Sequence, residues 1–74
     1  MKPIICSGHA YERMQERHIN REQVEATIRT STLKEPAKQG RIRASKQFGN
    51  RVLKVFYKET TGSIIFVTAY WGKQ

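Results

Sequence analysis

Residues 41–71 read RIRASKQFGNRVLKVFYKETTGSIIFVTAYW, three runs rich in β-branched and aromatic residues divided by two turn signals. Gly49-Asn50 suits a two-residue type II′ turn, and Glu59-Thr60-Thr61-Gly62 a four-residue loop. The spacing predicts strands over 41–48, 51–58 and 63–71, joined as an antiparallel meander. Pairing Phe48 with Arg51 and Lys58 with Ser63 assigns the faces, because directly opposed residues point the same way. One face then holds Ile42, Ala44, Lys46, Phe48, Leu53, Val55, Tyr57, Ile64, Phe66, Thr68 and Tyr70. The other holds Arg43, Ser45, Gln47, Val52, Lys54, Phe56, Lys58, Ile65, Val67, Ala69 and Trp71. The first is the more apolar and should take the rest of the chain. The second interleaves Arg43, Lys54 and Lys58 with Phe56 and Trp71, a mixture that grips phosphates while stacking bases.

Upstream of the meander the pattern turns helical. Ser7 has the character of an N-cap, and HAYERMQERH after it contains no Gly or Pro, which predicts a first helix over about 8–18 with Ala10, Met14 and His18 along its core side. His9, Arg13, Glu16 and Arg17 fall on an adjacent edge. Asn20 and Gln23 form a capping-box pair, with Ile19 placed to staple against Val24, so a second helix should run from Arg21 to Thr30 and bury Val24, Thr27 and Ile28. Lys2 to Cys6 is expected as a short edge strand. KEPAKQG at 34–40 reads as a linker, since Pro36 and Gly40 exclude a continuous helix or a central strand. The expected architecture is α+β, two N-terminal helices packed on a three- to four-stranded antiparallel sheet (ααβββ), in a single domain over residues 1–74.

The 74 residues carry a net charge of +8, distributed unevenly. Up to Glu35, six basic residues meet five glutamates; from Pro36 onward, eight basic residues meet only Glu59. A chain this small buries only ~60% of its unfolded surface, so self-repulsion of that size weighs on its stability. A polyanion is therefore the leading partner class, with a basic surface kept for solubility as the plain alternative. The chain has no aspartate, one cysteine and two histidines nine residues apart, a set without the spacing of a zinc or magnesium site. No cofactor is expected, and any chemistry should be metal-free. The opening apolar run is too short for a signal peptide or a membrane span, which predicts a cytoplasmic protein without a membrane partner.

RNA is cut without metal when its 2′-OH is deprotonated and attacks the adjacent phosphate, which calls for a base, an acid and cations. His9 supplies a group that titrates near neutrality, and Arg13 follows one helical turn later, with Arg17 a turn beyond. Arg13 with Arg43 or Lys54 would clamp the phosphate. Tyr70 would orient it or carry the second proton, with Thr68 two residues earlier on the same strand face. The candidate catalytic set is thus His9, Arg13, Thr68 and Tyr70, and the candidate nucleic-acid contacts are Arg17, Arg43, Lys54 and Lys58. Each has a plainer reading: His9 and Arg13 as a polar helix edge, His18 beside the helix dipole, Tyr57, Phe66 and Tyr70 as cross-strand packing, Arg41 and Arg51 as edge protection, and Cys6 as a small buried residue.

The run His9-Ala10-x-x-Arg13-Met14-x-x-Arg17-x-Ile19, a capped helix, the basic strand pair with Val52-Leu53-Lys54-Val55 and a last strand ending Val67-Thr68-x-Tyr70 together resemble a small bacterial and archaeal domain family without assigned function. That family is similar in layout to the RelE/ParE toxin superfamily, which shares the barnase, EndoU and colicin-nuclease fold. The resemblance covers about Ser7 to Tyr70. It implies a metal-independent endoribonuclease of the RelE-like toxin type, with Lys46, Lys54 and Tyr70 nearest to the RelE-type cleavage residues, which adds Lys46 to the expected nucleic-acid contacts. RNA or the ribosome is then the expected partner, together with an acidic antitoxin protein; a homodimer is a further expected assembly. Two alternatives stay open: a non-catalytic nucleic-acid or ribosome binding module, and a ParE-like protein-interaction toxin.

Overall fold

The computed structural model describes residues 2–31 and 33–73. The chain runs β1 (Ile4–Cys6), α1 (Gly8–Glu16), α2 (Arg21–Thr30), β2 (Leu33–Pro36), a 3-10 turn (Lys38–Gly40), β3 (Ile42–Phe48), β4 (Arg51–Glu59) and β5 (Ile64–Lys73). The α+β class and the two leading helices are as expected. The sheet differs, having five strands in the order β1-β5-β4-β3-β2. It is mixed, because β1 lies parallel to β5 while the other neighbours are antiparallel.

The extra strand comes from the stretch read as a linker. Leu33 to Pro36 pairs with Ser45 to Ile42 along the sheet edge. Pro36 is its last residue, where a missing N–H costs little. The reversal into β3 places Gln39 at φ 62° and Gly40 at φ 73°, consecutive left-handed residues that turn the chain within a few positions.

Both helices begin as their caps dictate. Ser7 Oγ accepts from Ala10 N at 3.2 Å, and Asn20 and Gln23 close a reciprocal box at 2.8 and 3.0 Å. Helix α1 ends earlier than the periodicity predicts. Ile19 N reaches Met14 O at 2.8 Å and His18 N reaches Gln15 O at 3.2 Å, a Schellman ending with His18 in the left-handed position at φ 55°. His18 is consequently exposed, and Ile19 takes the core place expected for it.

Helix α1 packs over β5, and α2 over β4 and β3, all on one side of the sheet. The core between them is formed by Ile4, Ala10, Met14, Ile19, Val24, Ile28, Ala44, Leu53, Val55, Tyr57, Phe66 and Ala69. Buried Thr27 satisfies its hydroxyl on Gln23 O at 2.8 Å. No described helix is long and apolar enough to cross a membrane.

One irregularity decides which residues reach the other side. Tyr57 pairs with Phe66 but Phe56 pairs with Thr68, so Val67 is an extra residue in β5. Ile64 and Phe66 therefore face the helices as the alternation predicts, whereas everything beyond Val67 is reversed. Ala69 and Trp71 pack toward the helices; Thr68 and Tyr70 emerge on the uncovered side, alongside Phe56 and Lys54. The earlier face assignment is thus corrected for residues 68–71.

Candidate nucleic-acid interface

The uncovered side of the sheet is built from rows of cross-strand neighbours. Thr68, Phe56 and Arg43 form one row; Tyr70, Lys54 and Ser45 form the next. Each aromatic thus has a cation directly across the ladder. The Phe56 and Tyr70 rings stack at 5.9 Å and 21°, and Lys54 Nζ lies 6.0 Å from the Tyr70 ring centroid. The Lys54 side chain lies close over the strand beside it: a Cβ on Gly72 would come within 3.2 Å of Lys54 Cε. Glycine at 72 leaves room for the lysine to lie across the backbone.

A third row is more apolar. Ile5 on β1, Ile65 on β5 and Lys58 on β4 are adjacent. With Leu33 across from Ser45, four large apolar side chains are exposed on this one face: Ile5 (51%), Leu33 (50%), Ile65 (38%) and Tyr70 (36%). A sheet face so open, and bearing Arg43, Lys54 and Lys58, has the composition of a contact surface. Glu35 is its acidic member, bonded to Arg43 at 2.9 Å.

Arg17 joins the helical layer to this face. Strand β1 ends at Cys6, opposite Phe66, so the edge of β5 beyond the bulge has no strand partner on that side. Arg17 fills the gap, donating through Nη1 to Ala69 O at 2.7 Å and to Thr68 Oγ1 at 3.4 Å. In return Trp71 Nε1 donates to Arg17 O at 3.1 Å, satisfying a carbonyl at the end of α1. Trp71 also meets Phe48 edge-on at 6.0 Å and lies under the Arg51 guanidinium at 4.3 Å. Its role is thus to lock α1 to the sheet, and not to form part of the cation–aromatic surface predicted from alternation.

The expected residues are brought together only in part. Arg17, Thr68, Tyr70, Lys54 and Arg43 share one region, and Lys58 lies farther along the same face. His9 and Arg13 are exposed on α1. The helical rise sets Arg13 ~6 Å and His9 ~12 Å from Arg17 along the helix axis. Lys46 is opposite Leu53 on the helix-facing side of β3, away from Arg43 and Lys54. Sequence reasoning passed over Arg41 as edge protection, although its place two residues before Arg43 would have put it on the same face.

The titratable groups held away from their ordinary values lie outside this surface. Burial pushes the Cys6 thiol up, against the opposing pull of Arg21. Burial likewise raises Tyr57. The hydrogen bond from Lys2 at 2.8 Å holds the Glu59 carboxyl below its usual range. Among the described residues no three histidine, cysteine or carboxylate side chains converge.

The chain matches, over residues 6–71, the family described as Domain of unknown function (DUF4258). No curated protein matches it. No solved structure matches it either.

Proposed function

We propose that this chain, which belongs to the DUF4258 family, binds single-stranded RNA on the open face of its sheet. The observation that carries the reading is the Phe56–Tyr70 pair, stacked on the uncovered side of the sheet with Arg43 and Lys54 directly across the ladder from the two rings. Rings on an uncovered sheet face offer a base a stacking platform at ~1–3 kcal/mol per stack, and single strands, unlike duplexes, can present unstacked bases. The cations hold the backbone.

Fluorescence anisotropy with a short hydroxyl-ended RNA tests this reading. Contacts from Arg43, Lys54 and Lys58 give a slope of log affinity against log salt of about −2, at ~0.7 per phosphate. Exchanging Phe56 and Tyr70 for Ala should abolish binding while the protein stays folded. A double variant that binds as the wild type does overturns the proposal.

A second reading, metal-independent endoribonuclease activity of the RelE-like type, is favoured by the Arg17–Thr68 contact, which couples the His9/Arg13 edge of α1 to the open face. A scissile phosphate beside Thr68 would meet Arg17, with Tyr70 and Lys54 as the nearer proton carriers and His9 two turns away. Its signature is cyclic-phosphate-ended fragments formed in EDTA and lost in Tyr70→Phe. If purified protein cuts neither free RNA nor ribosome-bound mRNA, this reading fails and the binding reading stands. A toxin role with an acidic antitoxin extends the cleavage reading; growth arrest on expression, relieved by Tyr70→Phe, is its test.

A further inference from the structure

At the β2–β3 end of the open face the surface deepens into a pocket of about 410 Å³, lined by Pro36, Ala37, Lys38, Arg41, Arg43 and Phe56. That volume lies within the ~300–1,000 Å³ of small-ligand sites. Its walls divide by chemistry. The Phe56 ring supplies one apolar surface, and Lys38, Arg41 and Arg43 supply cations. Glu35 neutralises one of the three through its 2.9 Å bond to Arg43, leaving two positive charges for a ligand.

The hairpin that carries the cations is closed by its own backbone, Ala37 N donating to Arg41 O at 2.7 Å and Arg41 N to Lys38 O at 3.3 Å. Lys38 and Arg41 are thereby held side by side. Arg41 Nε is buried and has no hydrogen-bond partner, which is costly for a guanidinium N–H. The pocket thus combines cationic side chains with an aromatic ring, and one of its lining residues keeps an unpaired buried N–H.

We propose that this pocket binds a phosphomonoester-bearing nucleotide, its base against Phe56 and its phosphate on Arg41 and Lys38. A phosphomonoester carries ~1.5–2 negative charges at neutral pH, matching the two unneutralised cations, whereas an internal phosphodiester carries one. The ligand is either a free nucleotide or the phosphorylated end of an RNA strand. In the second case the inference rests on the open-face reading, because the strand continues from Phe56 toward Tyr70.

The test compares one short RNA bearing a 5′-phosphate, a 3′-phosphate or hydroxyl ends, together with adenosine monophosphate and adenosine, on the full chain. A phosphate should tighten binding by about tenfold or more, the effect of hydrogen bonds to an ionised group. Arg41→Gln and, independently, exposed Lys38→Gln should erase most of that advantage and leave the affinity for hydroxyl-ended RNA within about twofold. A gain seen only with phosphorylated RNA identifies the strand end as the ligand; a gain seen also with the mononucleotide identifies free nucleotides. If hydroxyl-ended RNA does not bind but adenosine monophosphate binds through Arg41, the open-face reading falls and the pocket stands. The proposal is overturned if wild type does not distinguish phosphate from hydroxyl in either ligand pair, or if the preference survives both substitutions.

Discussion

Tyr70 and Trp71 are adjacent in sequence, yet the bulge at Val67 sends them to opposite sides of the sheet, and exchanging each for Leu should separate stability from binding. Trp71→Leu removes the 3.1 Å bond to Arg17 O, worth ~1 kcal/mol. It also removes the Arg51 cation over the ring, worth ~0.5–1 kcal/mol, and the edge contact with Phe48, worth about the same. The expected loss is about 2–3 kcal/mol, against a total stability of roughly 4–11 kcal/mol for a chain of this length. At ~4–8 °C per kcal/mol, Tm falls by at least about 8 °C. Tyr70→Leu loses only a half-exposed stack on Phe56, about 0.5–1 kcal/mol, but gives up one base platform, so RNA affinity should drop by about 5- to 150-fold. Urea unfolding followed by circular dichroism measures the first effect, and anisotropy titration at low temperature, where both variants are folded, the second. In an unbulged β5 the two outcomes would exchange. If Trp71→Leu weakens RNA binding more than Tyr70→Leu does, at equal folded fraction, the face assignment is wrong.

Other expectations follow from single contacts. Lys54→Gln should lower the salt slope of RNA binding by about 0.7, while Lys46→Gln, on the helix-facing side, should leave it unchanged; equal slopes for the two variants would remove Lys54 from the interface. His18→Gly should stabilise the protein by up to about 1 kcal/mol, because glycine relieves the left-handed residue of the Schellman ending; a lowered urea midpoint would show that the imidazole contributes something this ending does not need. Glu59 binds its proton less readily folded than unfolded, so its contribution to stability is complete above about pH 4.3 and is lost as pH falls through the lower folded value. Glu59→Gln should therefore flatten the acid limb of Tm against pH, and an unchanged limb would show that the bridge to Lys2 does not contribute in solution.

Much of this fold is written locally. Ser7, Asn20 and Gln23 cap their helices through bonds made within three residues, and Gly49 sits at φ 64°, as the first central residue of a type II′ turn must. The parallel pairing of Ile4–Cys6 with β5 has no such local signal, being settled by packing against a strand some sixty residues away. Leu33–Pro36 was obscured by Pro36 and Gly40, which mark a break but also permit an edge strand to end there. Val67 is the hardest case. A β-branched residue inside a β-branched run reads as ordinary strand, and what favours the bulge is tertiary: small Ala69 fits beneath α1 and Trp71 reaches the Arg17 carbonyl. Alternation alone thus placed Arg43, Lys54 and Phe56 on the correct surface, but assigned Tyr70 to the wrong side and Trp71 to the surface in its stead. The turn at 37–41, which brings Lys38 beside Arg41, depends on left-handed Gln39, a residue type that seldom signals one.

The measurement that bears most directly on the open face as an RNA surface is a backbone-amide NMR titration of the folded chain with hydroxyl-ended single-stranded RNA. Shifts concentrated at Arg43, Lys54, Phe56, Thr68 and Tyr70, with the outer faces of α1 and α2 unaffected, are the predicted result. Saturable shifts confined to the helices, or none at all at low salt, would contradict it.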